Sequence, residues 1–201
     1  MDIKRVELKR TPPKEPLTSL AALIRDFKWR FPRERRDTVV TVCQDLTDLG
    51  DVIQAATNSI QETGKMHHHQ VKVRKDSRDD LAETLKCNRW KMLSMQDFHE
   101  LFLLVEECSG WGIGPLTIYD VSVRIGAYLN LEPQRLYLHA GSWLGLKTLA
   151  IAAGKPIRAN GKWVYSYEMP WDFPKYLTWD ETEDFLCTYR TMFGDIHNFS
   201  L

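Results

Sequence analysis

Residues 111–126 read Trp-Gly-Ile-Gly-Pro-Leu-Thr-Ile-Tyr-Asp-Val-Ser-Val-Arg-Ile-Gly. Gly112 and Gly114 flank one apolar residue, so the backbone can turn sharply here and expose bare N–H groups. Pro115 suits the first position of the helix that follows. The preceding segment, 96–108, has apolar residues at helical spacing and predicts a helix before the turn. The stretch therefore predicts two helices joined by a tight glycine turn.

The rest of the chain predicts a mainly helical fold. Besides 96–108 and Pro115–Leu129, we predict helices over 17–27, Arg36 to about Thr63, 78–87, Pro133–Leu138, Trp143–Ala153 and 178–193. Thr18 or Ser19, Ser142, and Thr178 or Asp180 are the expected N-caps of three of them. A small irregular or β element is expected near 154–170, with a short hairpin at Asn160-Gly161. We predict a basic extended arm over 1–16 and a single helical domain over 17–201.

Charge is balanced over the whole chain but not along it. The 201 residues contain 27 Lys and Arg against 27 Asp and Glu, which excludes a uniformly basic nucleic-acid coat. Residues 1–36, however, carry eleven basic against five acidic side chains, a net charge of +6 that the remainder offsets. Such a segment is compatible with an arm that meets an anionic partner, or with a solvated surface.

The sequence predicts a cytoplasmic protein without a membrane segment. No apolar run approaches the length that spans a bilayer, and the first residues have no apolar core typical of a signal peptide. The four cysteines form no C-x-x-C pair, and we expect them to be reduced and buried. They are Cys43, Cys87, Cys108 and Cys187.

Bare amides beside a helix N-terminus suit a phosphate oxygen. The arrangement around the glycine turn resembles the hairpin of helix-hairpin-helix DNA-binding proteins. The resemblance implies contacts between the backbone of duplex DNA and Gly112, Ile113 and Gly114. Thr117, in the first turn of the following helix, can add a further contact.

The segment Asp120-Val-Ser-Val-Arg124-Ile resembles the D-x-x-V-x-R-[IV] stretch of the helix-hairpin-helix DNA glycosylases. The resemblance implies that Asp120 is catalytic, stabilises an oxocarbenium-like sugar and steers a water as the base departs. Here the Asp follows the turn much sooner than in that family, so both elements would share one helix. Arg124 lies at i+4 and is either a DNA contact that positions Asp120 or its partner in a structural ion pair.

A second candidate centre lies in the segment 139–148, where small residues permit close backbone approach. Lys147 resembles the lysine with which bifunctional glycosylases attack the sugar as an amine nucleophile. Asp172 would then be the accompanying acid. The alternative is that Lys147 is an exposed helical lysine.

Three consecutive histidines occupy 67–69, in the segment Gly64–Lys75. Adjacent residues of a strand or loop point to different sides, so the sequence predicts no metal site and no cofactor. A polar surface that faces phosphate is the favoured interpretation. The expected DNA contacts there are made by Lys65, His69 and Gln70.

Aromatic and acidic residues could form a pocket for a flipped base, since aromatic faces stack on bases. The expected pocket residues are Trp111, Tyr119, Trp143 and Trp171. The alternative is that such side chains fill the core of a small domain. The carboxylates that could line a cleft are Asp37, Asp45, Asp120, Asp172 and Asp180.

Four phrases together resemble a family of bacterial and phage-encoded proteins, over residues 55–190. They are Gly64-Lys-Met-His-His-His-Gln70, Gly112–Gly126, Leu136-Tyr-Leu-His-Ala-Gly141 and Glu183-Asp-Phe-Leu-Cys187. That resemblance implies no activity by itself.

The function that the sequence favours is a DNA N-glycosylase-like enzyme that flips and excises a damaged or modified base. A role in defence against phage with modified DNA would suit it. One alternative is a non-catalytic DNA-binding module that uses the same turn. The other is a small-molecule or nucleotide enzyme, or an interaction domain, in which the turn only packs helices.

Overall fold

The computed structural model of the chain describes residues 15–32, 37–157, 159 and 161–201. These residues form nine α-helices, two short 3₁₀ helices and one two-stranded antiparallel sheet. The predicted fold class, mainly helical with a small β element, is therefore confirmed. Most of the predicted basic arm lies outside the described residues, as does Asn160 of the predicted hairpin.

The elements are named in chain order. The helices are α1 (Leu20–Arg30), α2 (Thr38–Asp45), α3 (Leu49–Asn58), α4 (Lys75–Cys87), α5 (Arg89–Met92), α6 (Phe98–Cys108), α7 (Pro115–Leu129), α8 (Ala140–Ala152) and α9 (Trp179–Tyr189). The strands are β1 (Leu136–Tyr137) and β2 (Trp163–Val164), and the 3₁₀ helices are Ser166–Glu168 and Phe173–Lys175.

Helix α1 begins where its cap predicts. Ser19 is extended, and its hydroxyl accepts a hydrogen bond from Ala22 N at 3.1 Å. One face of the helix is buried, and this face includes Asp26, which accepts a hydrogen bond from the Tyr189 hydroxyl of α9. A buried carboxylate needs such partners, so this contact joins the two helices.

The predicted long helix from Arg36 to Thr63 is wrong, because the chain breaks it into α2 and α3. Leu46 is extended, and the Asp48 side chain accepts hydrogen bonds from two backbone N–H groups in the first turn of α3. A side chain that caps a new helix offers the backbone an alternative to continuing the old one. Helix α3 then ends at Ser59, which adopts a left-handed conformation with φ 58°.

Helices α6 and α7 pack against each other on either side of the glycine turn. Helix α7 begins at Pro115 and ends at Leu129, as predicted. Gly112 has φ +88°, a conformation that L side chains rarely adopt. The predicted glycine turn and the two helices on either side of it are therefore present.

The predicted helix over Pro133–Leu138 is wrong, since Leu136 and Tyr137 form β1. Leu136 pairs with Val164 and Tyr137 with Trp163, so the sheet joins distant segments and is not a local hairpin at Gly161. A two-residue apolar pair has no periodicity that separates helix from strand.

Helices α8 and α9 have clear N-caps. His139 caps α8 through Nδ1, which accepts from Gly141 N at 3.1 Å, and Ser142 completes the cap by accepting from His139 N. The predicted cap Ser142 thus contributes from inside the helix. Thr178 caps α9 as predicted, although α9 ends at Tyr189, before the expected end near residue 193.

Gly145 allows α8 and α9 to approach closely. A Cβ at this position would lie 2.0 Å from the carbonyl oxygen of Leu186 in α9. Because that oxygen belongs to the backbone, it cannot rotate away as a side chain could.

We therefore expect Gly145→Ala to lower the free energy of unfolding by about 1–3 kcal/mol, the usual cost of overpacking. This loss would outweigh the gain of about 1 kcal/mol in helix propensity. Urea denaturation measures it. Gly194→Ala is the control, because its Cβ meets nothing within 4 Å. Equal stabilities of the two variants would contradict the close approach.

The buried apolar side chains form two clusters. The first consists of residues from α2 to α7 together with Tyr137, and the second combines α1, α8 and α9 with Leu136 and the segment around Phe173. Strand β1 contributes to both, since its successive side chains point to opposite faces.

Two predictions from composition can be compared with the described residues. None of the helices described is long and apolar enough to cross a membrane. The four cysteines form no disulfide. Cys43 is buried as expected, whereas Cys87 is exposed, so the expectation that all four are buried is wrong.

Candidate functional site

A cavity of about 450 Å³ has walls from both hydrophobic clusters. Its walls come from α1, the N-terminal end of α2, residues 67–69, α7, the cap of α8 and α9. This volume falls in the range of small-molecule sites.

The three histidines form one turn in the cavity wall. The N–H of Gln70 donates to His67 O at 3.0 Å and closes the turn, while His67 N donates to Ser59 O at 2.7 Å and anchors it to the end of α3. The ring centroids of His67, His68 and His69 lie 4.3–4.6 Å apart. The expectation that these consecutive histidines diverge is therefore wrong, because the turn folds them together.

Asp120, on α7, meets this turn. Its Oδ2 lies 3.0 Å from His69 Nδ1 and accepts a hydrogen bond from Gln70 Nε2 at 2.7 Å. The Arg124 Nη2 atom lies 3.8 Å from the same oxygen. The two contacts from the histidine turn fix the orientation of this carboxylate in the cavity wall, and Arg124 adds a nearby positive charge.

The contacts of Asp120 favour its ionised form. Burial would raise the pKa of Asp120, but the hydrogen bond from His69 and the charge of Arg124 outweigh burial and lower it. For His69, burial would lower the pKa, and the hydrogen bond to Asp120 raises it above the ordinary value. Each group therefore stabilises the charged form of the other.

Two buried polar atoms of the cavity wall lack a hydrogen-bond partner among the described residues. They are the Tyr119 hydroxyl and His67 Nδ1, in residues that are 5% and 4% exposed. Burial raises the pKa of Tyr119 well above its usual value and lowers the pKa of both His67 and His68. Tyr119 thus keeps a neutral hydroxyl that can donate to a ligand.

A second buried pair, His139 and Glu183, lies in the same wall. His139 Nε2 contacts Glu183 Oε1, while its Nδ1 accepts the capping hydrogen bond from Gly141 N. Since Nδ1 is an acceptor, the ring proton lies on Nε2 and is donated to the carboxylate. The start of α8 is thereby attached to α9.

Acidic groups dominate the charge of the cavity. Asp37, Asp120, Asp180, Glu183 and Asp184 all line it. The basic groups of the described wall include Arg190 and His69, whose pKa is raised. A developing positive charge inside the cavity would therefore be stabilised, and a developing negative charge would not.

Arg124 does not reach the surface, so its predicted contact with DNA is wrong. Its side chain is fully buried and binds Asp37 Oδ2 at 2.8 Å, Ala56 O at 3.1 Å and Ser59 Oγ at 2.6 Å. Arg124 therefore forms a structural ion pair, the alternative interpretation, and its closer partner is Asp37 and not Asp120.

The glycine turn lies outside the cavity wall. Trp111 is 82% exposed, Gly112 is exposed, and Ile113 and Gly114 are half-buried. Gly114 is the N-cap of α7 and offers no side chain to its first N–H groups. Bare amides are thus available to an anion at this end of α7.

Several other residues that were predicted to contact DNA or to be catalytic do not line the cavity. Lys65 and Lys147 are exposed, and Asp172 pairs on the surface with Lys175. Thr117 and Gln70 are buried.

Of the four aromatic residues predicted for a base pocket, Tyr119 lines the cavity. Trp143 is 40% exposed on α8, and Trp171 packs in the second cluster with its indole N–H donating to Phe199 O. Trp111 belongs to the exposed turn. Core packing thus accounts for Trp171, the alternative that the sequence left open.

Of the five carboxylates expected at a cleft, Asp37, Asp120 and Asp180 line the cavity and Asp45 and Asp172 do not. Glu183 also lines the cavity but was not among the predicted site residues. An acidic residue near the start of a capped helix is equally typical of a carboxylate that stabilises the helix dipole, so its sequence position did not indicate a site.

Comparison with protein-family models, curated proteins and solved structures gives no match for this chain. A function for the chain must therefore be inferred from the chemistry of the cavity. Its wall holds an oriented, ionised carboxylate, a buried phenol and a cluster of imidazoles.

Proposed function

We propose that the chain is a DNA N-glycosylase-like hydrolase that takes a damaged or modified base into the histidine- and carboxylate-lined cavity. The observation that carries the proposal is the position of Asp120, an ionised carboxylate held by His69 and Gln70 in the wall of a cavity of about 450 Å³.

The charge of the cavity supports this chemistry over phosphoryl transfer. Cleavage of an N-glycosidic bond passes through an oxocarbenium-like state with positive charge on the sugar. Carboxylates of the cavity wall favour such a state, with Asp37 and Asp120 also paired with the buried Arg124. Phosphoryl transfer concentrates negative charge, which these carboxylates would oppose.

The reaction adds water across the bond between the sugar and the base. The C1′–N bond breaks and its electron pair leaves with the base, while water adds its oxygen to C1′ and its proton passes through solvent to the departing base. The lowered pKa of Asp120 makes it a weak base, so its main role is to stabilise the cationic sugar and orient the water. The Tyr119 hydroxyl can donate a hydrogen bond to the departing base.

The position of Asp120 on α7 agrees with DNA held at the glycine turn. Asp120 follows the N-cap Gly114 by six residues, which is about 9 Å along the helix axis. A phosphate bound by the amides at the N-terminus of α7 would lie about this far from Asp120 along the helix axis.

The test is release of a base from DNA. Duplex and single-stranded oligonucleotides with a panel of damaged and modified bases are incubated with the protein, and free base is measured by mass spectrometry. Abasic sites are revealed by alkali. We expect release with Lys147→Ala as with the unaltered chain, because Lys147 lies outside the cavity wall. No release from any substrate would remove the proposal.

The exposed turn favours a second candidate function, a DNA-binding module without catalysis. Gly114→Asp separates binding from the fold, because an Asp N-cap satisfies the helix amides itself and stabilises α7. The added carboxylate also repels phosphate. We expect DNA affinity to fall about tenfold or more at low salt, with stability unchanged or raised.

Fluorescence anisotropy with a labelled duplex measures this affinity. Gly194→Asp, at an exposed position after α9, adds the same charge outside the turn and is expected to retain most of the binding. Equal losses in both variants would argue against a phosphate site at the turn.

The proposal implies a cytoplasmic enzyme with DNA as its partner. Defence against phage whose DNA carries modified bases is one setting in which such an activity would be useful.

A further inference from the structure

The histidine turn has a geometry that the glycosidic reaction does not require. One ring nitrogen from each of His67, His68 and His69 lies within 4.8 Å of the others. Zinc bound by three imidazoles at 2.0–2.1 Å in a tetrahedral arrangement needs nitrogens about 3.4 Å apart. The separations in this structure exceed that distance by at most about 1.4 Å, so the three rings would have to close on a bound ion.

His67 and His69 both have features of metal ligands. His67 is 4% exposed, and its Nδ1 has no hydrogen-bond partner in the described part of the chain. His69 uses Nδ1 for the contact with Asp120 at 3.0 Å, which leaves Nε2 for a ligand. Histidines that bind metals commonly make this contact with a carboxylate, which fixes the tautomer and the orientation of the ring.

We propose that His67, His68 and His69 bind one divalent transition-metal ion of the zinc class at the wall of the cavity, with Asp120 as the carboxylate that orients His69. Imidazole ligands suit zinc, copper, iron and nickel, whereas magnesium and calcium prefer oxygen. Three protein ligands leave a fourth position, as in catalytic zinc sites. The three histidines line the cavity, so a water in that position would be accessible to a substrate.

The metal site is argued from the geometry of the three histidines alone. A bound dication beside Asp120 would offset part of the negative charge that the glycosidic reaction uses, so the two proposals are tested separately. A catalytic zinc lowers the pKa of its bound water and so supplies a nucleophile near neutral pH.

Metal binding is tested with the full chain after dialysis against a chelator. Isothermal titration with Zn²⁺ and visible spectroscopy with Co²⁺ are expected to give one ion per chain and the d–d absorption of a tetrahedral site. His68→Ala is the most informative variant because His68 is exposed, so its loss leaves the anchored part of the turn intact. We expect it to weaken the binding of Zn²⁺ by about 100-fold or more.

Two further variants separate ligation from a general effect on structure. His68→Cys retains a zinc ligand and is expected to restore binding. Asp120→Asn is expected to weaken affinity about 10- to 100-fold, as outer-shell partners of metal ligands do. His197→Ala removes an exposed histidine elsewhere and is the matched control. Circular dichroism of each variant without metal establishes that it is folded.

No stoichiometric binding by the unaltered chain, or equal affinities for His68→Ala and His197→Ala, would overturn the proposal. The outcome is distinguishable from that of the proposed function. If the chain binds one zinc ion but releases no base, the metal site stands and the glycosylase proposal fails. If it releases a base but binds no zinc, the glycosylase proposal stands and the metal site fails.

Discussion

Asp120→Asn is expected to lower the rate of base release about 10²- to 10³-fold, the usual contribution of one group that stabilises the charge of a transition state. The substitution keeps an oxygen that can accept from Gln70 Nε2 and removes the negative charge beside the developing cation. Single-turnover assays with saturating enzyme measure the chemical step on the best substrate of the panel. Affinity for the same DNA is expected to change much less.

Asp172→Asn is the matched control, since it removes a carboxylate that pairs on the surface with Lys175. We expect its rate of base release to equal that of the unaltered chain. If Asp172→Asn abolished release and Asp120→Asn did not, the active site would lie at the surface around Asp172 and not in the cavity.

Arg124→Ala is expected to lower the free energy of unfolding by about 3–5 kcal/mol, as removal of one partner of a buried ion pair does. The guanidinium is fully buried and binds Asp37, Ala56 O and Ser59 Oγ, so its loss leaves a carboxylate and two acceptors without their donor. Chemical denaturation monitored by tryptophan fluorescence measures the effect.

The surface pair of Arg25 and Glu15 provides the comparison. Arg25 Nε lies 2.6 Å from Glu15 Oε1, but the two side chains are 54% and 42% exposed. Exposed pairs contribute little to stability, so Arg25→Ala is expected to destabilise the chain far less than Arg124→Ala. If Arg124→Ala lowered affinity for DNA and left stability unchanged, the assignment of a structural role to Arg124 would be wrong.

Helices were predicted correctly where the segment itself contains the residues that begin and end the helix. Helix α7 is an example, since Pro115 and the preceding glycines define its start and the apolar pattern its extent. Ser19 and Thr178 are further examples, because an N-cap acts through contacts within one turn of the chain.

The sequence did not predict what depends on contacts between distant segments. Strand β1 exists because Leu136 and Tyr137 pair with residues 163–164, and the end of the predicted long helix depends on an Asp48 cap that competes with helix continuation. The placement of Asp120 at a cavity followed from its resemblance, but its contacts with His69 and Gln70 span about fifty positions of the chain. No local pattern encodes such a contact.

The prediction that the three consecutive histidines point to different sides was wrong. Alternation along an extended backbone predicts that neighbouring side chains diverge, but a turn closed by the Gln70 N–H brings them together. The left-handed Ser59, whose carbonyl anchors the turn, gives no sequence signal that distinguishes it from an ordinary serine.

Because residues of both apolar clusters line the cavity, a molecule bound there would contact both clusters at once and would stabilise their packing against each other. A molecule that binds only the folded chain at 100 times its Kd raises the unfolding free energy by about 2.7 kcal/mol. Thermal melting in the presence of candidate compounds would consequently report occupancy without any knowledge of the reaction.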